Sequence, residues 1–438
     1  MSNIAVAAPS LPTDQPNELR RAVIASTIGS TIEWFDFYVY GVATGLVFGK
    51  LFFPQSEPLI GTLQAFGVYA VGFISRPIGA IIFGHYGDRI GRKRTLIVTL
   101  MLMGVATFLV GLVPTYDTIG IWGAVILTFL RFMQGVGVGG EWGGAVLLSM
   151  EWCKSHRHRG FVAAWPHFGS PAGNFLAFGS ILVLSRISGD AFFTWGWRLP
   201  FVASLLLVIV GLYIRLGIVE TPVFRRLVAE KKIERAPILQ VIRTQPKEIV
   251  LSALVRLAQQ APGYLFTTFI LTYGTQILKV PRDFLLIALI TMSTVSFVTT
   301  PLFGHLSDRI GRRKLYMIGA GTMGVFGFVY FGLLNTGSLL LIFVGIVIST
   351  IPHDMMYGPQ PAFIAESFPR RVRYSGASLG YHLASVIAGG PAPLIATWLY
   401  ATYQSAYAIS AYIFVCAVVT IIAAALMSDY TGKDIEGE

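Results

Sequence analysis

Charge is what this chain has least of. Of 438 residues only 22 are Asp or Glu and 33 Lys or Arg, 13% in all, against roughly 25% in an average soluble domain. That supply cannot coat a soluble globule, and the hydrophobic share of 54% points to a surface that lies largely in lipid. Cysteine is nearly absent. Cys153 and Cys416, far apart in apolar surroundings, form neither a disulfide framework nor a metal-ligand spacing, and read as small hydrophobes. Reactive motifs are missing too: there is no His-Glu-x-x-His helix, no catalytic Cys-His set and no Gly-x-x-x-x-Gly-Lys-[Ser/Thr] loop, which argues against a membrane-embedded enzyme and an ATP-driven pump. No cofactor is expected. His156-Arg157-His158-Arg159 has arginines between its histidines and no third ligand nearby, so no metal is expected there. Residues 1–19 carry no basic stretch followed by an apolar core, so no cleaved signal peptide is expected.

What the chain does have is apolar runs long enough to cross a hydrocarbon core of about 30 Å. Their breaks give twelve helices, at about 20–50, 59–84, 95–113, 119–150, 161–186, 198–217, 248–278, 284–304, 315–334, 338–366, 375–399 and 405–427. The expected architecture is an all-α membrane protein. A tail (1–19) precedes a six-helix bundle (20–217), a charged linker (218–247), a second six-helix bundle (248–427) and a short tail (428–438).

Basic residues fall on alternate connections. Arg20, Arg21, Arg89, Arg92, Lys93, Arg94, Lys154, Arg157 and Arg159 lie on one side with the linker basics (Arg225, Arg226, Lys231, Lys232, Arg235, Arg243, Lys247), Arg309, Arg312, Arg313, Lys314, Arg370, Arg371, Arg373 and Lys433. The other side has little beyond Lys50, Arg186, Lys279 and Arg282. The positive-inside rule makes the rich side and both termini cytoplasmic. The net charge of +11 is therefore a topology signal, and nucleic acid is not expected as a partner.

A repeat is visible by eye. Gly84-His-Tyr-Gly-Asp-Arg-Ile-Gly-Arg-Lys-Arg94 returns as Gly304-His-Leu-Ser-Asp-Arg-Ile-Gly-Arg-Arg-Lys314, with seven of eleven positions identical. A weaker echo pairs Glu151 and Arg159-Gly160 with Glu366 and Arg373-Tyr-Ser-Gly376. Both copies lie on the same side, so the halves are parallel repeats, an architecture of secondary transporters with the solute site between halves near the midplane.

These residues resemble the major facilitator superfamily, whose signature Gly-x-x-x-Asp-Arg-x-Gly-Arg-Lys is placed in the loop between helices 2 and 3. Within it the chain resembles the metabolite:proton symporters, the group of shikimate, α-ketoglutarate and proline/betaine carriers. The narrower match rests on Glu33-Trp-Phe-Asp-Phe-Tyr-Val-Tyr-Gly41, Arg76-Pro-Ile-Gly79, Arg131-Phe-Met-Gln-Gly135, Gly139-Gly-Glu-Trp-Gly-Gly144, Trp195-Gly-Trp-Arg-Leu-Pro200 and Glu220-Thr-Pro-Val-Phe224. The resemblance implies proton-coupled uptake of a small organic solute. It also implies that Asp88 and Asp308 latch the cytoplasmic face. In physical terms these aspartates can accept hydrogen bonds from a helix N-terminus. Arg89, Arg92, Arg309 and Arg312 can pair with Glu151 or Glu366, while Gly91 and Gly311 permit a tight turn.

The spans contain Glu33, Asp36, Arg76, Arg131, Glu141, Arg256 and Asp354. Unpaired, at roughly 2.5–3.5 kcal/mol each, these groups would cost on the order of 20 kcal/mol, so they must pair or face water. Depth alone suggests Arg131 with Asp36 or Glu33, Arg76 with Glu141, and Arg256 with Asp354. A carboxylate whose arginine partner changes as the halves rock also changes its hold on a proton, which makes Glu33, Asp36, Arg76, Arg131 and Glu141 the proton-coupling candidates. Tyr40, Gln134, Trp165, His167 and Asn174 face, at similar depth, Arg256, Gln259, Gln260, Tyr264, Asp354, Tyr357, Gln360 and His382, the polar lining expected of a solute pocket. His167, His353 and His382 are further proton candidates, packed neutral histidines being the plainer reading.

The expected function is proton-coupled import of a small organic acid by alternating access, the proton being the coupling ion, by a multi-pass protein of the cytoplasmic (inner) membrane that works as a monomer. Arginines in both halves suit a carboxylate. Aromatic residues would suit a zwitterionic osmolyte such as proline or betaine, which is the alternative substrate class. A carrier-like sensor is the non-transport alternative.

Overall fold

The structure, a computed structural model, describes residues 15–153, 157–230 and 234–433. Lys154, His156, Lys231, Lys232 and the outer parts of both tails lie outside the described residues. Every regular element among the described residues is helical, as lipid requires of a backbone that must satisfy its own hydrogen bonds.

Twelve helical stretches follow the expected spans. In the first half they are α1 (Gln15–Ala43, carried through a π-turn at Thr44–Phe48 to Phe52), α2 (Pro58–Ile90), α3 (Arg92–Val110), α4 (Trp122–Met150), α5 (Arg159–Ser188) and α6 (Leu199–Leu216). The second half starts with α7, which runs in pieces (Pro246–Leu254, Leu257–Tyr264 and π-turns at Leu265–Phe269 and Tyr273–Ile277). After it come α8 (Arg282–Ile310), α9 (Arg312–Leu334) and α10 (Leu339–Ile348, Thr350–Tyr357, Gln360–Ala365). The last two are α11 (Arg373–Ala384, a π-turn at Ser385–Gly389, Pro391–Tyr403) and α12 (Tyr407–Leu426). Ten are long and apolar enough to cross a membrane. The other two are α1, which carries acids mid-helix, and the broken α7.

Two boundaries differ from expectation. The repeated motif is not a loop: Gly84 to Ile90 and Gly304 to Ile310 are the last turns of α2 and α8, and a single glycine makes each connection. The 218–247 linker contains two short helices, Pro222–Ala229 and Pro237–Thr244.

In the first half α1 lies on α5, and α4 lies against α2 and α3. The halves meet where α2 packs on α11 and α5 on α8, two contacts that the repeat makes equivalent. Glycines on α4 bring α2 close: a Cβ at Gly139 would fall onto the Arg76 carbonyl and the Ala80 nitrogen, and one at Gly135 onto Ser75 and Gly72. Small residues permit such backbone approach. Gly139→Ala is therefore expected to destabilise the purified protein by about 1–3 kcal/mol. Gly67→Ala, whose Cβ meets nothing within 4 Å, is expected to leave thermal unfolding unchanged or to raise its midpoint.

Candidate functional site

The face that carries the two motifs is sealed by a pair of equivalent carboxylate caps, each made across the two halves. Asp88, at the end of α2, accepts from the backbone N–H of Ser375 (3.0 Å) and its hydroxyl (2.7 Å) at the start of α11. Asp308, at the end of α8, accepts from the N–H groups of Gly160 (2.8 Å) and Phe161 (2.9 Å) at the start of α5. A helix N-terminus offers unpaired donors and a partial positive charge, so a carboxylate suits it.

Arg92 holds the first cap, 3.5 Å from Asp88 and 3.3 Å from Glu151, and Arg312 holds the second, 3.2 Å from Asp308 and 3.1 Å from Glu366. Arg159 crosses between halves to Glu366 at 3.0 Å. Gly91 and Gly311 take φ of 107° and 95°, which a residue with a Cβ adopts only with strain. Arg89 and Arg309 stay exposed outside these networks, Arg89 beside His85, so the arginines that hold the caps are Arg92 and Arg312. Three partners carried no sequence signal for this role. Thr221 donates to Glu151 (2.6 Å), and Glu220 and Asp429 cap the starts of α3 and α9.

Above this seal an aromatic layer joins the halves. Trp142 stacks on Tyr381 at 3.7 Å and donates to His167 Nε2 (2.7 Å). His167 Nδ1 then donates to the Tyr357 carbonyl (2.7 Å), its ring stacked on that of Tyr357. With one nitrogen accepting and the other donating, His167 is held as a neutral ring.

The first-half wall of the chamber corrects both expected pairings. Glu141 does not meet Arg76; it is paired with Arg215 of α6 and accepts from Thr99 (2.9 Å). Arg131 has no carboxylate within ion-pair distance among the described residues. It reaches Asp36 through intermediates: Arg131 Nη1 donates to Gln134 Oε1 (3.3 Å), Gln134 Nε2 to Thr107 (2.7 Å), and Thr107 to Asp36 Oδ2 (2.9 Å). Asp36 Oδ1 and Arg131 Nη2 are buried without a partner, and Glu33 has no ion-pair partner among the described residues. The guanidinium groups lie on aromatic rings instead: Arg131 over Tyr40 (4.3 Å), Phe37 and Tyr69 (4.7 Å each), Arg76 over Phe37 (4.5 Å) and Phe73 (4.6 Å). Tyr264, from α7, closes on Phe73 and Phe37.

The second-half wall does not pair Arg256 with Asp354 either. Arg256 lies on the Tyr381 ring and donates to the Tyr381 carbonyl and, at 3.3 Å, to Gln360 Oε1. Gln360 Nε2 reaches Tyr316 (2.6 Å) and Gln259 Oε1 (3.3 Å). Gln259 Nε2 meets His353 Nε2 (2.8 Å), and His353 Nδ1 meets Asp354 Oδ1 (2.8 Å). Gln260 bonds Ser385 (2.8 Å), and His382 is buried with both ring nitrogens unpartnered. Asn174 borders a cavity of about 40 Å³ beside His353 and Asp354. Trp165 is not in this chamber. It meets Phe161 edge-on and Phe168 at a tilt, and these in turn meet His305 and Phe297 of α8.

On the face opposite the motifs a vestibule of about 870 Å³ lies between the halves, with Lys50, Lys279 and Arg282 on its walls. The motif end of the seam between the halves is closed by the two caps, and the opposite end holds the vestibule.

Residues 22–249 and 238–437 each match the sugar (and other) transporter family. The chain is 38% identical over 419 residues to the shikimate transporter of Escherichia coli (strain K12), covering 94% of each. It is 34% identical over 431 residues to the proline/betaine transporter of the same strain, covering 96% of this chain and 85% of the relative. Its fold superposes on that of the proton:xylose symporter XylE, of the major facilitator superfamily, with a TM-score of 0.76 at 17% identity, covering 96% of this chain and 98% of the other.

Glu366 lies just beyond α10 and is 4% exposed. Burial pushes its carboxyl up to about 7, against the pull of Arg312, Arg159 and Arg373. With the folded value above the unfolded one, its contribution to stability is full in acid and is lost as pH rises through about 7. The unfolding midpoint of the wild type relative to Glu366→Gln is expected to fall by a few degrees between pH 5 and pH 8, measured by thermal denaturation in detergent.

Proposed function

The chain belongs to the sugar (and other) transporter family, within the major facilitator superfamily, and on that premise we propose that it imports a small organic acid together with protons. The observation that carries this reading is the Asp36–Thr107–Gln134–Arg131 chain. An arginine with no carboxylate partner among the described residues is buried in the first-half wall and is tied by hydrogen bonds to an acid that can change its protonation state. A substrate carboxylate offers Arg131 or Arg76 the counter-charge that each lacks, through charge-assisted bonds. Taking a proton on Asp36 or Glu33 removes the negative charge that would compete with it. Glu141, engaged with Arg215 and Thr99, holds α4 to α6 and is not needed as a carrier.

The aromatic walls support the acid over a zwitterionic osmolyte. A quaternary ammonium needs free ring faces, but the rings of Phe37, Phe73, Tyr40 and Tyr69 already carry Arg76 and Arg131. This favours the acid. The positive-inside bias places the motif face in the cytoplasm, so the vestibule faces outward and the state is open to the substrate's side of the inner membrane. Both caps and both chamber walls are built from residues of a single chain, so one chain suffices.

The test is uptake by purified protein in liposomes, with shikimate, other small carboxylic acids, proline and betaine offered separately under an inward proton gradient. An acid is expected to accumulate at least tenfold. Asp36→Asn is expected to lower the accumulation reached at a given proton gradient while leaving exchange of labelled for unlabelled substrate intact. Accumulation of betaine alone, or accumulation at the wild-type level in both Asp36→Asn and Glu33→Gln, would contradict the proposal.

A further inference from the structure

Asp354 and His353 stand apart from the acids of α1, on the opposite wall of the chamber. Asp354, 1% exposed, receives three donors: Thr299, Thr350 (3.2 Å) and His353 Nδ1 (2.8 Å). Oxygens that only accept belong to a carboxylate. The adjacent ring is one-fifth exposed and borders the 40 Å³ cavity between the halves, which has room for a water. Its Nε2 faces the amide nitrogen of Gln259 at 2.8 Å, so this nitrogen is the acceptor and carries no hydrogen. The charged or titratable groups around the ring are few. Asp354 and Tyr357 lie on its own helix, Tyr38 on α1, His167 on α5, and Arg256 further along α7, while α8 contributes only hydroxyls.

We propose that the His353–Asp354 pair is a second proton-binding site, and that its proton is linked to the hold of Arg256 on a substrate carboxylate. The link is the direction of the amide chain. With Nε2 unprotonated, Gln259 presents its nitrogen to His353 and its oxygen to Gln360. Gln360 in turn presents its oxygen to Arg256 Nε (3.3 Å).

A proton arriving from cavity water forms a bond to Nε2 and turns it into a donor, with Asp354 as the counter-charge of the ring. Gln259 must then rotate to present its oxygen, which aims its nitrogen at the Gln360 nitrogen. Gln360 resolves that clash of donors by rotating too, and its oxygen still accepts from Gln259 and from Tyr316, whose hydroxyl can serve as donor. Arg256 Nε is left without its acceptor. A carboxylate supplies one, so proton and anion bind together, each strengthening the other.

This rests on the reading of the chain as an organic-acid:proton symporter and adds one proton to its cycle. At clamped zero voltage, two protons per substrate sustain a 100-fold substrate gradient for each pH unit, and one proton sustains tenfold. The experiment measures the equilibrium substrate ratio in liposomes at fixed pH gradients, with voltage clamped by potassium and valinomycin. The wild type is expected to give 100-fold per unit. His353→Gln is expected to fall to tenfold, as is Gln259→Leu, which keeps the ring and cuts the chain to Arg256. A tenfold slope in the wild type overturns the proposal whether or not the variants fold, as does a 100-fold slope that persists in His353→Gln. No dependence on the proton gradient in any protein would instead remove proton coupling itself, and with it the reading on which the second site rests.

Discussion

Three arginines, Arg76, Arg131 and Arg256, face the space between the halves with no carboxylate within ion-pair distance among the described residues. In water this would be unremarked, but within a bilayer an uncompensated charge is among the costliest features a protein can keep. The chamber is organised around that constraint. Aromatic faces take up part of the positive charge, backbone carbonyls take the donors that can reach them, and the acids that could neutralise it are held at the far end of hydrogen-bonded side-chain relays. On the proposed reading, an anion completes a site built this way. It differs in kind from the Glu141–Arg215 pair, where charge is already balanced and the contact serves to hold helices together.

The sealed face answers the other requirement of a carrier, that only one side be open at a time. Asp88 and Asp308 do not simply pair with arginines; each caps a helix that belongs to the other half. The arginines behind them, Arg92 and Arg312, keep both carboxylates oriented and tie them to Glu151 and Glu366. Separating the halves therefore exposes two helix N-termini and two carboxylates at once, all near water, where each can be re-solvated at modest cost. A seal of few, polar, re-solvatable bonds can open; a wide apolar seal would not.

Much of this was legible before any coordinates. The twelve stretches follow from run length, the repeat from eleven residues seen twice, and Asp88 and Asp308 from the fact that topology explains their arginines but not them. What could not be read was which helices are neighbours. Arg215, near the end of α6, looks like any basic residue at a cytoplasmic boundary, so the partner of Glu141 was invisible and Arg76 took its place. Depth brought Arg256 and Asp354 to one level, yet two glutamines and a histidine lie between them. Trp165 is two residues from His167, about half a turn of helix, and so lies on another face of α5, which a comparison of depth alone does not reveal. Arg89 and Arg309, one residue after each aspartate, point outward for the same reason: rotation about a helix axis decides contact, and the motif is helical up to its glycine.

If the arginines wait for an anion while the acids and His353 wait for protons, then substrate binding must draw protons from solution. The direct measurement is proton uptake by purified protein in weakly buffered detergent solution as a transported acid is added, repeated from acid to alkaline pH. The account predicts an alkaline shift at the pH values where the free sites are unprotonated, its size reduced by Asp36→Asn and by His353→Gln. Saturating binding with no proton uptake at any pH would contradict it.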